Sequence, residues 1–599
     1  MRAEIYQKMY ETESYHWWFQ GKKDIITMFV KQNILTKTGG GGGNFKYNYI
    51  TLGLSVIIGI MTFLMIYGVA PLDVTNDRWI MTGYDETDII AHYAGWEAYR
   101  DSDWAFPLAY TDNLAKGDGV IISYLDSLPW IAIIFKLMNP FLPNTFQYFG
   151  IYTLLCYILQ AIAGFLIIRF KTKSPLFSLC GTVLFSFAPV LIERSLRHTG
   201  LGSQWLILFA IYIYFIHRER NKFSYLDYGV MCLLQILSIG IHPYFLPMIC
   251  CFTLLCVVND IKRKQCVGIA LFGISLMATY AMGYIIGVLG HGVNVSRDGY
   301  GFYSMNLNSL YNPTSTGGYN WSAIFKVHPQ ILGNYDGFNY LGAGVFVLFA
   351  FLFTSLIFLD KKVKTLMVVR IDSSLVVISV CLFLFAISNV ITFNDKVILN
   401  VPLPQFLLSF CGIFRASSRL FYPVYYLIII QGINMLWKCK EYLSVSRVYG
   451  MLILIVFVQL FDIKSCIYQK HINMIKNSSE LSVLDDKVLQ SVGKNSEGLL
   501  AEEGATDIRN IVVWALKNNM DVYPACANSG VYEKSFELTQ RNLDKIRSTG
   551  EIKDFVVVTS NPEVLKLYNS FPRTASYKYD NTYIIFKSGK GGYYNKIIS

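Results

Sequence analysis

The chain has 599 residues, of which 53% are hydrophobic and only 16% are charged, and its formal net charge is +11. Soluble domains carry roughly 25% charged residues, so this composition excludes a purely soluble globular protein. It also excludes a disordered chain, which would be hydrophilic and highly charged. Many of the basic residues stand in short loops between apolar runs, so we expect no nucleic-acid partner.

The first 46 residues form a polar and aromatic arm, in which we recognise no cleavable signal peptide. The stretch from Tyr15 to Phe19, followed by Gly21-Lys22-Lys23, resembles the opening segment of class I methyltransferases. Five glycines, Gly39 to Gly43, then interrupt it, and no strand or cofactor loop follows. We interpret the glycines as a flexible linker and expect no methyltransferase activity. The arm is either a fusion remnant or an aromatic segment at the membrane surface.

Eleven apolar runs are each predicted to span a membrane, because about 20 residues of helix cross roughly 30 Å of hydrocarbon. They cover residues 49–70, 145–168, 174–193, 201–217, 225–242, 243–259, 266–289, 341–359, 373–393, 420–437 and 447–463. The sequence therefore predicts a polytopic α-helical membrane domain over residues 47–467.

The loop charges predict an orientation in the membrane. Basic clusters occupy alternate short loops, at residues 169–173, 218–222, 262–264, 361–370 and 438–447, and the N-terminal arm is also basic. Basic loops remain in the cytoplasm, so we expect a cytoplasmic N-terminus in the plasma membrane of a bacterium. An odd number of spans then places the C-terminal part outside the cell.

Two long loops and a terminal domain are predicted on the outer side. The first loop, residues 71–127, is acidic, with eleven Asp and Glu against three Lys and Arg, and the second covers residues 291–340. Residues 468–599 are more polar. In them, helical patterns at 506–519 and 562–570 alternate with strand-like runs at 554–559 and 583–586, which predicts a small extracytoplasmic α/β domain.

The first outer loop carries the clearest candidate chemistry. Asp88, His92 and Trp96 are spaced by four, so a helix would place them on one face. A carboxylate at this place could take a proton from an attacking hydroxyl group, and the nearby Asp85 and Glu86 are rival bases. Asp126, at the end of the loop, is a second acid or the cap of the helix that begins there. A solvated acidic loop would also explain these residues.

The chain resembles the GT-C superfamily, which are multi-spanning glycosyltransferases that use polyprenyl-phosphate sugars, and within it a poorly characterised bacterial branch. The resemblance covers residues from about 45 to 599. It rests on the order of short motifs, which are Asp88-x3-His92-x3-Trp96, Trp104 to Leu108, Leu125 to Pro129, Arg197-His198, His242-Pro243-Tyr244, Tyr335 to Gly342, Phe414 to Arg419, Asn519-Met520-Asp521 and Asn528-Ser529-Gly530. This chain has Asp336 where the branch leads us to expect Glu.

The resemblance implies an Asp or Glu base in the first outer loop and cationic partners for a lipid phosphate. Arg415 and Arg419 are four residues apart, and Arg can hold phosphate through two hydrogen bonds. Residues that we expect to bind substrate are His92, Trp96, Arg197, His198, His242, Tyr244, Asp336, Tyr340, Arg415 and Arg419. Each also has a structural alternative: an ion pair or lipid contact for the arginines, and a structural bend for the histidines.

The leading hypothesis is an inverting enzyme that transfers a sugar from a polyprenyl phosphate to a hydroxyl group of a cell-surface glycan. A donor synthase and a small flippase would be its expected neighbours. We expect no cofactor and assign no metal ligands, although the acidic loop leaves a divalent ion open. The alternative is a transporter or flippase for lipid-linked glycans, which would place charged residues inside its spans.

Overall fold

The computed structural model describes residues 43–220, 223–290, 299–314, 317–358, 372–502, 504–525 and 532–588. The methyltransferase-like arm and the Asn528-Ser529-Gly530 motif lie outside these residues. Most of the described chain is helical, and a small sheet lies near the C-terminus.

The helices are, in chain order, α1 (Gly43–Tyr67), α2 (Arg78–Met81), α3 (Asp88–Arg100), α4 (Pro129–Leu137), α5 (Phe149–Thr172), α6 (Pro175–Ser186), α7 (Pro189–Arg194), α8 (Trp205–Glu219), α9 (Tyr225–Ile241), α10 (Phe245–Lys262), α11 (Val267–Ile286), α12 (Ala343–Phe358), α13 (Ser373–Ile387), α14 (Gln405–Cys411), α15 (Tyr422–Lys438), α16 (Val445–Ser479), α17 (Lys487–Gly493), α18 (Arg509–Lys517), α19 (Glu533–Thr549) and α20 (Pro562–Asn569).

Among the described residues, seven helical segments are long and apolar enough to cross a membrane, and they contain α1, α5, α8, α10, α11, α15 and α16. The other four predicted spans overlap the shorter apolar helices α6, α9, α12 and α13. Two of these predictions extend too far, because residues 189–193 belong to a separate helix, α7, and residues 390–393 form a strand. Length and composition are therefore those of a membrane-associated helical protein.

The first helix shows how the bundle meets its surroundings. On α1 the large side chains of Ile50, Leu54, Ile57, Met61 and Met65 are exposed. They recur every three or four residues and so share one face of the helix. An apolar face of this size is unfavourable in water, whereas it is well suited to contact with lipid.

Most of the first long loop is folded rather than solvated. It contains α2, α3 and a short hairpin in which β1 (Tyr110–Thr111) pairs with β2 (Val120–Ile121). Helix α3 is buried along almost its whole length. Its last residue, Arg100, is buried because its guanidinium donates to the carbonyl oxygens of Pro143 and Asn144, at 2.9 and 2.8 Å.

A second hairpin follows α13, with β3 (Val390–Phe393) antiparallel to β4 (Lys396–Asn400). The C-terminal part then forms a five-stranded sheet in the order β6-β5-β7-β9-β8. Its strands are β5 (Gly498–Ala501), β6 (Asp521–Val522), β7 (Phe555–Thr559), β8 (Thr574–Tyr579) and β9 (Thr582–Lys587). β6, β5 and β7 are parallel, whereas β9 and β8 are antiparallel to their neighbours. The predicted strand-like runs are β7 and β9, and the predicted helices are α18 and α20.

The first loop and the C-terminal domain lie at the same end of the helix bundle. Lys116 Nζ is 2.7 Å from Asp521 Oδ1, and the backbone N–H of Ser535 donates to Asp118 at 2.8 Å. These contacts place the first loop directly beside the C-terminal domain.

Candidate functional site

Charged and polar side chains from eight segments of the chain meet close to the N-terminus of α3. They include ten of the predicted site residues, which are Asp85, Glu86, Asp88, His92, Asp126, Arg197, His198, His242, Asp336 and Arg419, together with Glu193, Arg194, Lys470 and Arg509. We call this set the carboxylate–arginine cluster.

Asp88 is the first residue of α3, and basic groups flank both of its carboxylate oxygens. His198 Nε2 lies 3.4 Å from Oδ2, and Arg509 Nη1 lies 2.6 Å from Oδ1. Burial opposes ionisation of Asp88, but the hydrogen bond from His198 and the charges of His198, His92 and Arg509 hold its pKa well below the usual range. Asp88 is therefore a partly exposed, ionised carboxylate.

Asp126 has a different environment, between two buried histidines. Its oxygens lie 3.8 Å from His92 Nε2 and 3.7 Å from His242 Nε2. Burial raises the pKa of Asp126 to about 7, although the charge of Arg419 opposes this shift. Burial also lowers the pKa of His92 to about 3, so its ring is neutral at pH 7. The protonation of Asp126 therefore changes near neutral pH.

Asp336 joins two arginines from distant segments. Arg194 Nη1 is 3.0 Å from Oδ1, and Arg419 donates through Nη2 and Nε at 2.9 and 3.1 Å. Burial opposes ionisation of Asp336, but the charges of Arg194 and Arg419 hold its pKa well below the usual range. The Arg419 guanidinium also lies over the ring of Tyr244, 5.0 Å from its centroid. Two guanidinium groups thus share one carboxylate, which leaves a net positive charge here.

Arg197 has the opposite balance, because it lies between two carboxylates. Its Nε donates to Glu86 and its Nη1 donates to Glu193. Burial opposes the charge of Arg197, but Glu193 and Glu86 hold its pKa above the usual range. The guanidinium group of Arg197 is therefore already paired with two carboxylates of the protein.

Asp85 is buried, and its Oδ2 lies 2.5 Å from Lys470 Nζ on α16. Both side chains are almost completely buried, so Asp85 has no open path to an acceptor hydroxyl group. Asp85, one of the predicted bases, therefore forms a structural ion pair with Lys470.

Two predicted substrate-binding residues are structural instead. The fully buried Trp96 donates from Nε1 to the Phe146 carbonyl at 2.8 Å. Tyr340, also fully buried, donates to Asp462 Oδ2 at 2.5 Å. The predicted helical spacing of Asp88, His92 and Trp96 exists in α3, but the Trp96 ring is buried and its N–H group donates to a backbone carbonyl group.

Arg415 lies outside the cluster, beside the apolar helix α14. Its guanidinium carbon is 5.9 Å from the centroid of the Tyr303 ring. Within the described part of the chain Arg415 makes no ion pair. Phe406 and Phe410 on α14 are strongly exposed, so an available cation stands next to an apolar surface.

One group of side chains could hold a divalent ion. Glu86, Asp88 and His198 each offer a ligand atom, and these atoms all lie within 4.8 Å of one another. The set of two carboxylates and one imidazole suits a transition metal ion such as Zn²⁺ or Mn²⁺. In the structure, however, Arg197 and Arg509 donate to these two carboxylates, so a metal ion would compete with two guanidinium groups.

Sequence reasoning missed Arg509, Lys470 and Glu193. Arg509 and Lys470 are separated from their partners by 421 and 385 residues. No local pattern marks such pairings. Glu193 is four residues before Arg197 on the same chain segment, and this spacing was the one available signal.

The comparisons with known proteins identify a family but no activity. Residues 56–464, which are more than half of the chain, match a family described as a domain of unknown function, DUF6311. No curated protein matches the chain. The matched range includes every residue of the cluster except Lys470 and Arg509. The chain belongs to the DUF6311 family.

Proposed function

We propose that the chain is a membrane glycosyltransferase of the GT-C type. It transfers a sugar from a polyprenyl phosphate to a hydroxyl group of a cell-surface glycan. The observation that carries the proposal is the meeting of partly exposed carboxylates from one loop with arginines from two other segments. Acceptor deprotonation needs the carboxylates, and a departing phosphate needs the cations.

In this reaction the acceptor oxygen attacks the anomeric carbon while the bond to the phosphate oxygen breaks. The phosphate leaves with the electron pair of that bond, and the acceptor proton passes to a carboxylate. A single displacement from the opposite face inverts the anomeric carbon.

Asp88 is our first choice as the base. It is ionised, partly exposed and placed at the start of a buried helix, so its position is well defined. Asp126 is the alternative, because its pKa of about 7 is close to the working pH that suits proton transfer. Glu86 is the most exposed of the three carboxylates, but it is bound to Arg197.

The leaving phosphate would be held on the positive side of the cluster. Arg194 and Arg419 share Asp336, and Arg415 stands at the apolar surface of α14. A lipid-linked donor has an apolar tail and an anionic head, so it needs such an apolar surface beside a cation. Arginine suits the head because its guanidinium can donate two hydrogen bonds to one phosphate.

The same proposal includes eleven membrane crossings, a cytoplasmic N-terminus and an outer C-terminal domain in a bacterial plasma membrane. Contact between the first loop and the C-terminal domain supports an even number of crossings between them. A donor synthase and a small flippase would then supply the lipid-linked sugar at the outer face.

The experiment is a transfer assay with the purified full-length protein. It receives a panel of polyprenyl-phosphate sugars, with bacterial membrane extract as the acceptor source. The variants Asp88→Asn and Asp126→Asn separate the two bases, and Asp112→Asn is the matched control, because Asp112 is exposed in the same loop. We expect a loss of about 10²-fold or more in the variant that lacks the base and full transfer in the control.

The results distinguish the function from the choice of base. If transfer survives in both Asp88→Asn and Asp126→Asn, the protein is still a glycosyltransferase, but neither residue is its base. No transfer by a folded wild-type protein with any donor would contradict the proposal. If, in addition, lipid-linked sugar crosses reconstituted liposomes with no new glycosidic bond, the protein is the alternative flippase.

A further inference from the structure

The C-terminal domain reaches the carboxylate–arginine cluster through one side chain, Arg509. Arg509 is the first residue of α18. Its Nη1 donates to Asp88 Oδ1 at 2.6 Å, and its Nη2 donates to Thr87 Oγ1 at 2.5 Å. One guanidinium group therefore binds two consecutive residues at the N-terminus of α3.

The position of this guanidinium group is itself fixed. Arg509 Nε donates to Asp507 Oδ1 at 2.7 Å, so all three nitrogen atoms of the group have a partner. A planar guanidinium that is held at each nitrogen presents its donors in one geometry. Arg509 is thus more than a mobile surface charge near a carboxylate.

Helix α18 is also attached to α3 at its other end. Lys517 Nζ lies 3.3 Å from Asp77 Oδ2 and 3.7 Å from Glu97 Oε2. Between the two charged ends, Ile511 and Trp514 of α18 are buried. The two helices run in the same direction, with one charged contact near each end of α18.

We propose that Arg509 is a positioning residue that orients the Asp88 carboxylate toward the acceptor, so that the C-terminal domain completes the reaction site. This inference rests on the proposed sugar transfer. Arg509 holds Oδ1 from one side, and His198 stands 3.4 Å from Oδ2 on the other. Each carboxylate oxygen has two lone pairs, so both keep a site for the acceptor proton. A misplacement of about 1 Å can reduce a rate about 10²-fold.

The test compares Arg509→Gln and Arg509→Lys with Lys517→Met as the matched control on the same helix. In the full-length protein we expect Arg509→Gln to lower kcat about 10²-fold, because the carboxylate loses its fixed orientation. Arg509→Lys should recover about tenfold of that loss, since it restores one donor. KM for the lipid donor should stay within about twofold, and Lys517→Met should keep kcat within about threefold.

A further variant tests the inference if Arg509→Gln folds poorly, and a further measurement tests it if the wild type shows no activity. Thr87→Val removes one anchor of Arg509 and leaves Asp88 intact, so kcat should fall about tenfold. Without any activity assay, labelling of Asp88 by a carbodiimide and an amine, read by mass spectrometry, should increase in Arg509→Gln and stay at the wild-type level in Lys517→Met.

Several results would overturn the inference. One is an unchanged or higher kcat in Arg509→Gln, since the arginine would then be idle or would block Asp88. Another is an equal loss in Lys517→Met, which would mean that Arg509 only holds the domain in place. Unchanged labelling of Asp88 in Arg509→Gln would count against it even if no sugar transfer were found for the wild type. A wild type that transfers no sugar, by contrast, contradicts the proposed function and not the contact between Arg509 and Asp88.

Discussion

Two buried clusters of charged side chains lie near opposite ends of α8. One is the carboxylate–arginine cluster, which His198 joins just before the helix. The other surrounds His217 in the last turn of the helix, and the helix between Trp205 and His217 alone spans about 18 Å at 1.5 Å per residue. Both contain histidine, aspartate and arginine, so composition does not distinguish them.

The two clusters differ in how completely their charged groups are paired and in how exposed these groups are. His217 lies 3.1 Å from Asp227 and 3.1 Å from Asp260, and Arg220 and Tyr228 bind the same two carboxylates. The side chains of His217, Asp227 and Asp260 are 1%, 3% and 0% exposed. We interpret this closed set as a clamp between α8, α9 and α10.

The carboxylate–arginine cluster is partly open. The side chains of Glu86, Asp88 and Asp126 are 35%, 24% and 21% exposed. Asp126 also lacks the short ion pair that Asp227 and Asp260 possess. The difference teaches that a buried charge cluster becomes a candidate site when some of its groups remain accessible and incompletely paired.

The sharpest test of the comparison exchanges one carboxylate for an amide in each cluster. Asp88→Asn should lower sugar transfer about 10²-fold or more, and it should destabilise the fold less than Asp260→Asn does, because Asp88 is partly exposed. Asp260→Asn should lower the free energy of unfolding by about 3 kcal/mol, because His217 and Tyr228 lose their charged partner. The measurements are transfer and thermal unfolding of both purified variants.

If Asp88→Asn and Asp260→Asn had the same effects on activity and stability, the two clusters would not differ in function. A loss of stability without a loss of transfer in Asp88→Asn would mean that the carboxylate–arginine cluster has a structural role, as the His217 cluster does. Asp112→Asn is the control for the loss of one negative charge in an exposed position.

A second prediction concerns the structural part of the carboxylate–arginine cluster. Asp336→Asn leaves the buried guanidinium groups of Arg194 and Arg419 without their shared carboxylate. We expect destabilisation of about 3 kcal/mol in thermal unfolding, since removal of one partner leaves uncompensated buried charge. Asp336→Glu, which keeps the charge, is the matched control and should lose less. Equal stability of Asp336→Asn and wild type would show that this pairing contributes nothing.

A third prediction uses the raised pKa of Asp126. The folded state holds its proton up to about pH 7, whereas an unfolded aspartate loses it near pH 4. The folded protein therefore binds more protons than the unfolded protein between these values, so stability falls as the pH rises from about 4 to 7. The total change is at most about 4 kcal/mol.

The measurement is thermal unfolding of the wild type and Asp126→Asn from pH 4 to 8. The wild type should lose stability relative to the variant as the pH rises to about 7, and the difference should be constant above that pH. A wild-type stability that rises relative to the variant over the same range would mean that Asp126 is ionised and paired.

The smallest effect is expected for exposed pairs between the first loop and the C-terminal domain. Lys116 and Asp521 are about half exposed, so Lys116→Met should change stability by less than about 1 kcal/mol. Thermal unfolding at low and high salt measures this, and the difference from wild type should shrink in salt. A larger, salt-independent loss would place this pair with the buried clusters.

Local patterns predicted the helices of the membrane domain well, and the sheet domain only in part. The strands β7 and β9 have consecutive apolar residues, such as Val556 to Val558, and were recognisable. The strand β6 has only two residues, and the helix α19 has a narrow apolar face with many charges. Such elements are stabilised by tertiary packing more than by their own pattern.

The sequence by itself predicted the long apolar helices, because hydrophobic length is a local property that survives without knowledge of any contact. It also identified ten members of the carboxylate–arginine cluster through the acidic first loop and short motifs. Only the tertiary structure decided that Asp85 is closed by Lys470 and that Arg509 reaches Asp88. An ion pair depends on distance in space, and residues 385 and 421 positions apart leave no periodic pattern in the sequence.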